Sequence, residues 1–244
     1  MAQNVVCVPA TACALTRQGG AMSNARKVVN RAPHREVGIV NAGWLLDHLV
    51  EHESHLERRF IMIALACPAV TDILDQPKKY EVVFTDGSKH TYTPDFEVRF
   101  QDGTSMICEV KPRVFLEKSK EVLGAAARLF RENGQNYEVV TDHQIDGNGL
   151  GCRAILLMRY GRLHFSAEDA LACKALLQKA AEKPTVSALI EKGVSEDLIW
   201  TLVARHSLRA GPYLNVTRNE QVEINEPMEN CLDYFRRWIG AQDR

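Results

Sequence analysis

The chain has 244 residues, 45% of them hydrophobic and 25% charged, with a net charge of −1 and a pI near 6.7. That length and composition suit one large globular domain or two modest ones and exclude a fibrous or low-complexity chain, while the near-zero charge excludes a global basic field and leaves nucleic-acid contact to local patches or a metal site. Seven scattered cysteines (Cys7, Cys13, Cys67, Cys108, Cys152, Cys173, Cys231) form no CxxC pair, which points away from zinc or redox dithiols and toward a reducing, cytoplasmic setting.

No apolar run approaches the ~20 residues of a membrane span, so no membrane partner is expected. Residues 1–22 lack a basic n-region and are broken by Pro9, which favours a flexible N-terminus over a signal peptide. Arg26, Lys27, Arg31 and Arg35 come after it without a clear period, as in an arm or loop that could touch DNA. Helical spacing then runs from Trp44 to Ala66, with Leu56, Phe60 and Ile63 on one side, until Pro68 stops it.

From Lys79 the period changes to strands: Tyr80 to Thr85, Lys89 to Thr93, Phe96 to Phe100 and Thr104 to Lys111. Asp86-Gly87 and Asp102-Gly103 stand between them as hairpin turns. Pro112 closes the last strand, Leu116 to Glu132 reads as a helix ended by Asn133-Gly134, and Tyr137 to Thr141 is a short strand. Asp146 to Gly151 is a glycine-rich loop with no nucleotide-fold frame around it, and Arg153 to Tyr160 is either a strand or a short helix.

This order predicts an α/β fold, a mixed sheet flanked by helices, over residues 23–165. Beyond it, 166–244 reads as a small winged-helix-like domain. Helices are expected from Ala167 to Lys183, Thr185 to Lys192 and Ser195 to Arg209, with Thr185 and Ser195 as N-caps. Two short strands, Tyr213 to Thr217 and Gln221 to Ile224, and a last helix from Met228 to Ile239 complete it. Arg205, Arg209 and Arg218 would lie on the recognition helix and wing, in reach of phosphates. Trp200 and Trp238 read as core or interface anchors.

The chemistry concentrates in Thr93-Pro94-Asp95-Phe96 and Cys108-Glu109-Val110-Lys111. Alternate residues of a strand share a face, so Glu109 and Lys111 point the same way while Val110 faces the core. A two-residue loop at Asp102-Gly103 would mix apolar and charged residues on both faces. A three-residue loop from Gln101 to Gly103, with Gly103 left-handed, instead pairs Asp95 with Glu109, Phe96 with Cys108 and Val98 with Met106, and separates an apolar from a polar face. Two carboxylates suit Mg²⁺, with Mn²⁺ as a substitute, and Asp95, Glu109 and Val110 are the expected metal positions. Lys111 can orient the attacking water and offset charge as a phosphodiester is hydrolysed. Glu57, next to Leu56 on the preceding helix, is the best-placed further carboxylate.

With Glu53-Ser54-His55-Leu56-Glu57-Arg58, Tyr92-Thr93-Pro94-Asp95-Phe96 and Glu109-Val110-Lys111-Pro112, the segment from Arg26 to Lys111 resembles the TnsA family of transposon-end endonucleases, of the PD-(D/E)xK superfamily. The resemblance implies a restriction-endonuclease-like fold with Glu57, Asp95, Glu109 and Lys111 in the catalytic positions. It also implies double-stranded DNA as substrate, cleavage at the 5′ ends of the element, a DDE-type transposase subunit for the 3′ ends, and an ATP-binding transposition regulator. Two other readings stay open: a stand-alone nuclease of restriction, repair or phage origin, and a non-catalytic DNA-binding or assembly scaffold. His48, His52 and His55 fall at helical spacing, which suits a solvated or DNA-facing helix side better than a transition-metal site without cysteine. Hydrolase triads and P-loop chemistry have no motif here.

Overall fold

The computed structural model describes residues 37–240. Strands β1 (Gly38–Val40) and β2 (Val50–His52) pair antiparallel ahead of helix α1 (His55–Ala66). The helix expected from Trp44 therefore begins only at His55. Ser54 sets that start: its hydroxyl accepts the Glu57 N–H, and Glu57 reaches back to the Glu53 N–H, so side chains satisfy the donors that the first turn leaves open. One consequence is that His48, His52 and His55 share no helical face. His48 lies in a turn bonded to Asp72, His52 is buried in β2, and His55 opens α1.

A four-stranded sheet comes next, in the order β3 (Val70–Asp75), β6 (Phe96–Phe100), β7 (Ser105–Lys111), β8 (Asn136–Thr141). β3 and β6 are antiparallel, as are β6 and β7, whereas β7 and β8 are parallel and joined through a 3-10 turn (Arg113–Phe115) and helix α2 (Leu116–Glu132). The hairpin of β4 (Tyr80–Val83) and β5 (Lys89–Tyr92) forms a separate two-stranded sheet. Both Asp-Gly turns close three-residue loops whose glycines are left-handed, Gly87 at φ 83° and Gly103 at φ 81°, a conformation that glycine adopts without a Cβ penalty. β3 was not apparent from the sequence.

Central strand β7 is buried on both sides. Met106, Cys108 and Val110 join Phe96, Val98 and Phe100 in the core built around α1. On the other side Ile107 packs with Val82, Tyr92, Ala125, Ala126 and Phe130, so the expected polar face is roofed by α2 and the β4–β5 hairpin along part of its length.

Helices α3 (Asp142–Asp146), α4 (Leu150–Tyr160), α5 (Ala167–Lys179), α6 (Val186–Glu191) and α7 (Glu196–Ala204) continue the chain. Arg153 to Tyr160 is thus helical, and the glycine-rich stretch contributes only the turn between α3 and α4. Thr185 and Ser195 cap α6 and α7 with their hydroxyls. The hairpin after α7 pairs β9 (Leu208–Ala210) with β10 (Val222–Ile224), not the segment Tyr213 to Thr217. Gly211-Pro212 interrupts the chain there and proline has no N–H for a ladder. Helix α8 (Cys231–Trp238) ends the described chain.

The elements α6, α7, β9 and β10 keep the expected helix, helix, hairpin order. Yet every residue of α7 from Leu198 to Ala204 is buried, so this helix presents no open face for a DNA groove. Nor does the core divide at residue 165. One apolar cluster runs from Val40 to Ile239, Phe235 packs on Phe60 and Phe100, and Trp238 Nε1 donates to the Ile63 carbonyl at 3.0 Å. Trp200 and Trp238 are core residues.

Candidate active site

The β6–β7 hairpin pairs Phe96 with Cys108 and Val98 with Met106. One step further along the same register stands Asp95 opposite Glu109. The β3–β6 ladder extends to this point as well, through the Gln76 N–H donating to the Asp95 carbonyl at 2.8 Å. A side-chain oxygen of Asp95 accepts the Val110 N–H at 2.7 Å, which ties the loop before β6 to the strand that carries Glu109 and Lys111.

Glu109 is 5% exposed and both its oxygens are engaged. Oε1 receives the Lys111 ammonium at 2.9 Å, and Oε2 accepts the Tyr92 hydroxyl at 2.7 Å. Tyr92 in turn meets the Tyr137 hydroxyl at 3.0 Å. Sequence reasoning missed both tyrosines. Tyr92 sits in the Tyr92-Thr93-Pro94-Asp95 stretch already singled out, whereas Tyr137 reaches the site only through the parallel β7–β8 register, which sets it beside Ile107 on the Glu109 face.

Glu57 is held at the first turn of α1. Its Oε2 accepts the Glu53 N–H at 2.6 Å and its Oε1 accepts the Ser54 hydroxyl at 2.8 Å. Burial lifts its carboxyl above the ordinary range against the pull of these two donors, and the charge of Glu109 adds to the lift. Asp95 is affected more strongly: burial, then the charges of Glu109 and Glu57, hold it well above the usual carboxylate range despite the Val110 N–H and Lys111. Around Lys111, burial works to lower the ammonium, and Glu109, Asp95 and Glu57 outweigh it.

Glu109 touches the Lys111 ammonium at 2.9 Å and the charges of Asp95 and Glu57 also act on it, so three carboxyl groups share one cationic side chain in a half-buried site that could take a divalent cation. Among the described residues no three His, Cys, Asp or Glu side chains form a ready ligand set. Asp95 and Glu109 could hold a cation if water and main-chain oxygen filled the remaining positions, and one or two carboxylates are what Mg²⁺ takes from a protein. Val110 could give only its main-chain oxygen, its side chain being buried in the core.

The other sequence-selected residues lie apart. Arg205 donates to the carbonyls of Gly161 and Leu163, Arg209 pairs with Glu223 at 2.7 Å, and Arg218 pairs with Glu196 at 2.8 Å. Arg26, Lys27 and Arg31 lie outside the described residues. No helix of the described residues is long and apolar enough to cross a membrane.

No curated protein matches the chain. A family model described as TnsA-like endonuclease N terminal matches residues 67–142, from the end of α1 through β8, and Glu57 precedes the matched segment. The strands that carry Glu109 and Lys111, and Asp95 before them, accordingly lie in a segment similar to the N-terminal domain of TnsA-like endonucleases.

Proposed function

We propose that this chain is a Mg²⁺-dependent DNA endonuclease that acts as one subunit of a heteromeric transposase and cuts at the 5′ ends of the element. The observation that carries the reading is the meeting of Asp95, in the loop before β6, with Glu109 and Lys111 on β7: Asp95 accepts the Val110 N–H at 2.7 Å and Lys111 lies 2.9 Å from Glu109. The TnsA-like endonuclease match supports the transposition context, in which a DDE-type transposase and an ATP-binding regulator are the expected partners.

Asp95 and Glu109 are the residues proposed to hold the cation, with Val110 contributing main-chain oxygen. Bound there, Mg²⁺ would supply Lewis-acid polarisation of the phosphodiester. Lys111 orients the attacking water and offsets the charge that builds on the phosphoryl oxygens. Water adds to phosphorus, the bond to the 3′ oxygen breaks, and the products are a 3′-hydroxyl and a 5′-phosphate. Tyr92 keeps Glu109 oriented, and Glu57 adds a further carboxylate from the first turn of α1. The chain also contacts DNA through Arg26, Lys27 and Arg31, while the charges of Arg209 and Arg218 are already offset by glutamates.

Calorimetry with Mg²⁺ and Mn²⁺ on wild type and Asp95→Ala, then a nicking assay with the co-encoded transposase present, tests this. Wild type binds the cation and nicks; the variant does neither. Wild-type protein that binds no cation and leaves DNA intact with its partners present refutes the catalytic reading.

A further inference from the structure

A cleft of about 1010 Å³ opens at the carboxyl ends of β7 and β8, walled by the start of α2, the α3–α4 turn and the end of α8. Arg113, Arg153 and Arg237 line it, and Glu138 is the single acid among the lining residues, with Arg236 4.0 Å away. Arg113 and Arg237 are exposed, and neither has a carboxylate partner among the described residues. Arg153 spends its donors on the carbonyls of Tyr213 and Asn148, which leaves its charge unbalanced. Of the acids just outside the lining, Asp146 pairs with Arg59 at 2.9 Å, and Asp142 accepts the Arg113 backbone N–H at 2.8 Å and keeps its charge, which leaves the three arginines in excess. In a chain of net charge −1 this is a local basic surface.

Its position relative to the candidate active site gives the surface a use. Thr141 lines the cleft and is the register partner of Lys111 on β7. Arg113 lies two residues beyond Lys111, at most about 7 Å of extended chain. Glu138 is the register partner of Cys108 and faces away from Glu109 and Lys111, so a polyanion lying across Lys111 reaches the cleft by passing round the end of β7, where Arg113 stands. Tyr213, 71% exposed at the rim, offers an aromatic face for sugar or base.

We propose that this cleft binds the sugar–phosphate backbone of the DNA that flanks the cut, with Arg113, Arg153 and Arg237 as its phosphate contacts. The proposal rests on the nuclease reading and moves the basic surface away from the arginines that the sequence suggested.

The test is fluorescence anisotropy of a labelled DNA duplex with the full chain across a salt series, for wild type, Arg113→Gln, Arg237→Gln and the double variant. Both side chains are exposed, so each variant should melt like wild type. Each lost phosphate contact lowers the slope of log K against log salt by about 0.9, so the double variant should lose about 1.8. Its affinity at low salt should fall at least tenfold. A double variant with wild-type affinity and slope overturns the cleft, even where wild type binds Mg²⁺ and cuts, in which case the nuclease reading stands. Loss of slope in the double variant upholds the cleft even where wild type binds no Mg²⁺, in which case the nuclease reading falls. Wild type that ignores duplex DNA but binds a poly-glutamate probe would assign the cleft to an acidic protein segment and overturn the proposal.

Discussion

Replacing Tyr92 by phenylalanine removes one oxygen and leaves the ring in its apolar setting against Phe130. That oxygen holds Glu109 Oε2 at 2.7 Å, and Glu109 is 5% exposed, so water cannot freely take its place. A hydrogen bond to a charged group contributes about 1.5–3 kcal/mol. In a chain of this size each kcal/mol moves the melting temperature by about 2–4 °C, so Tyr92→Phe should melt about 3–12 °C lower. Glu109 would also lose one of the two contacts that orient it, and partners of this kind typically contribute 10–100-fold to metal affinity or activity. Tyr137, 3.0 Å from the Tyr92 hydroxyl, could turn toward Glu109 and mask the loss, so Tyr92→Phe/Tyr137→Phe should show the full effect. Thermal melts with and without Mg²⁺, together with calorimetry, read both quantities. If the double variant melts and binds metal as wild type does, Tyr92 does not position Glu109.

The same geometry sets three further outcomes. Burial, Glu109 and Glu57 raise the Asp95 pKa, so the folded chain holds that proton more tightly than the unfolded one; the contribution of Asp95 to metal-free stability should be complete below about pH 4 and fall as pH rises toward the raised value. Urea midpoints from pH 4 to 8 in chelator should show Asp95→Asn free of this loss, whereas a wild type that gains on the variant as pH rises contradicts the assignment. Burial pushes His206 down to about 4, so its stabilising contribution is complete above about pH 6.5 and drains away as pH falls to 4, by about 2–3 kcal/mol; His206→Asn, which tolerates the local left-handed backbone, should flatten that limb of the acid-denaturation curve. Phe235→Ala should cost about 3–5 kcal/mol by chemical denaturation, and a fragment ending near residue 165 should fail to give a cooperative melt, because α8 completes the core on α1; an independently stable fragment would show otherwise.

Local chemistry was enough for the part of the sheet that carries the candidate catalytic groups. Asp-Gly turns and the demand that charged residues leave the core admit only one register for Phe96 to Lys111, and the observed pairs Phe96 with Cys108 and Val98 with Met106 match it. The limits of α2 and the caps at Thr185 and Ser195 were legible for the same reason, since a strong local signal had no competitor. Where two local patterns competed, tertiary pairing decided. Val50 to His52 shares the helical spacing of His55 to Ala66, but Ser54 starts the helix and β1 captures the residues before it. β3 was hidden because its alternation is irregular, and a bulge between Val70 and Asp72 absorbs the irregularity once β6 is beside it. Partnership was beyond the sequence altogether. Tyr92 meets Glu109, Arg209 and Arg218 meet glutamates, and α8 closes the core on α1 through contacts between residues 14 to 175 apart, separations at which no periodicity carries information.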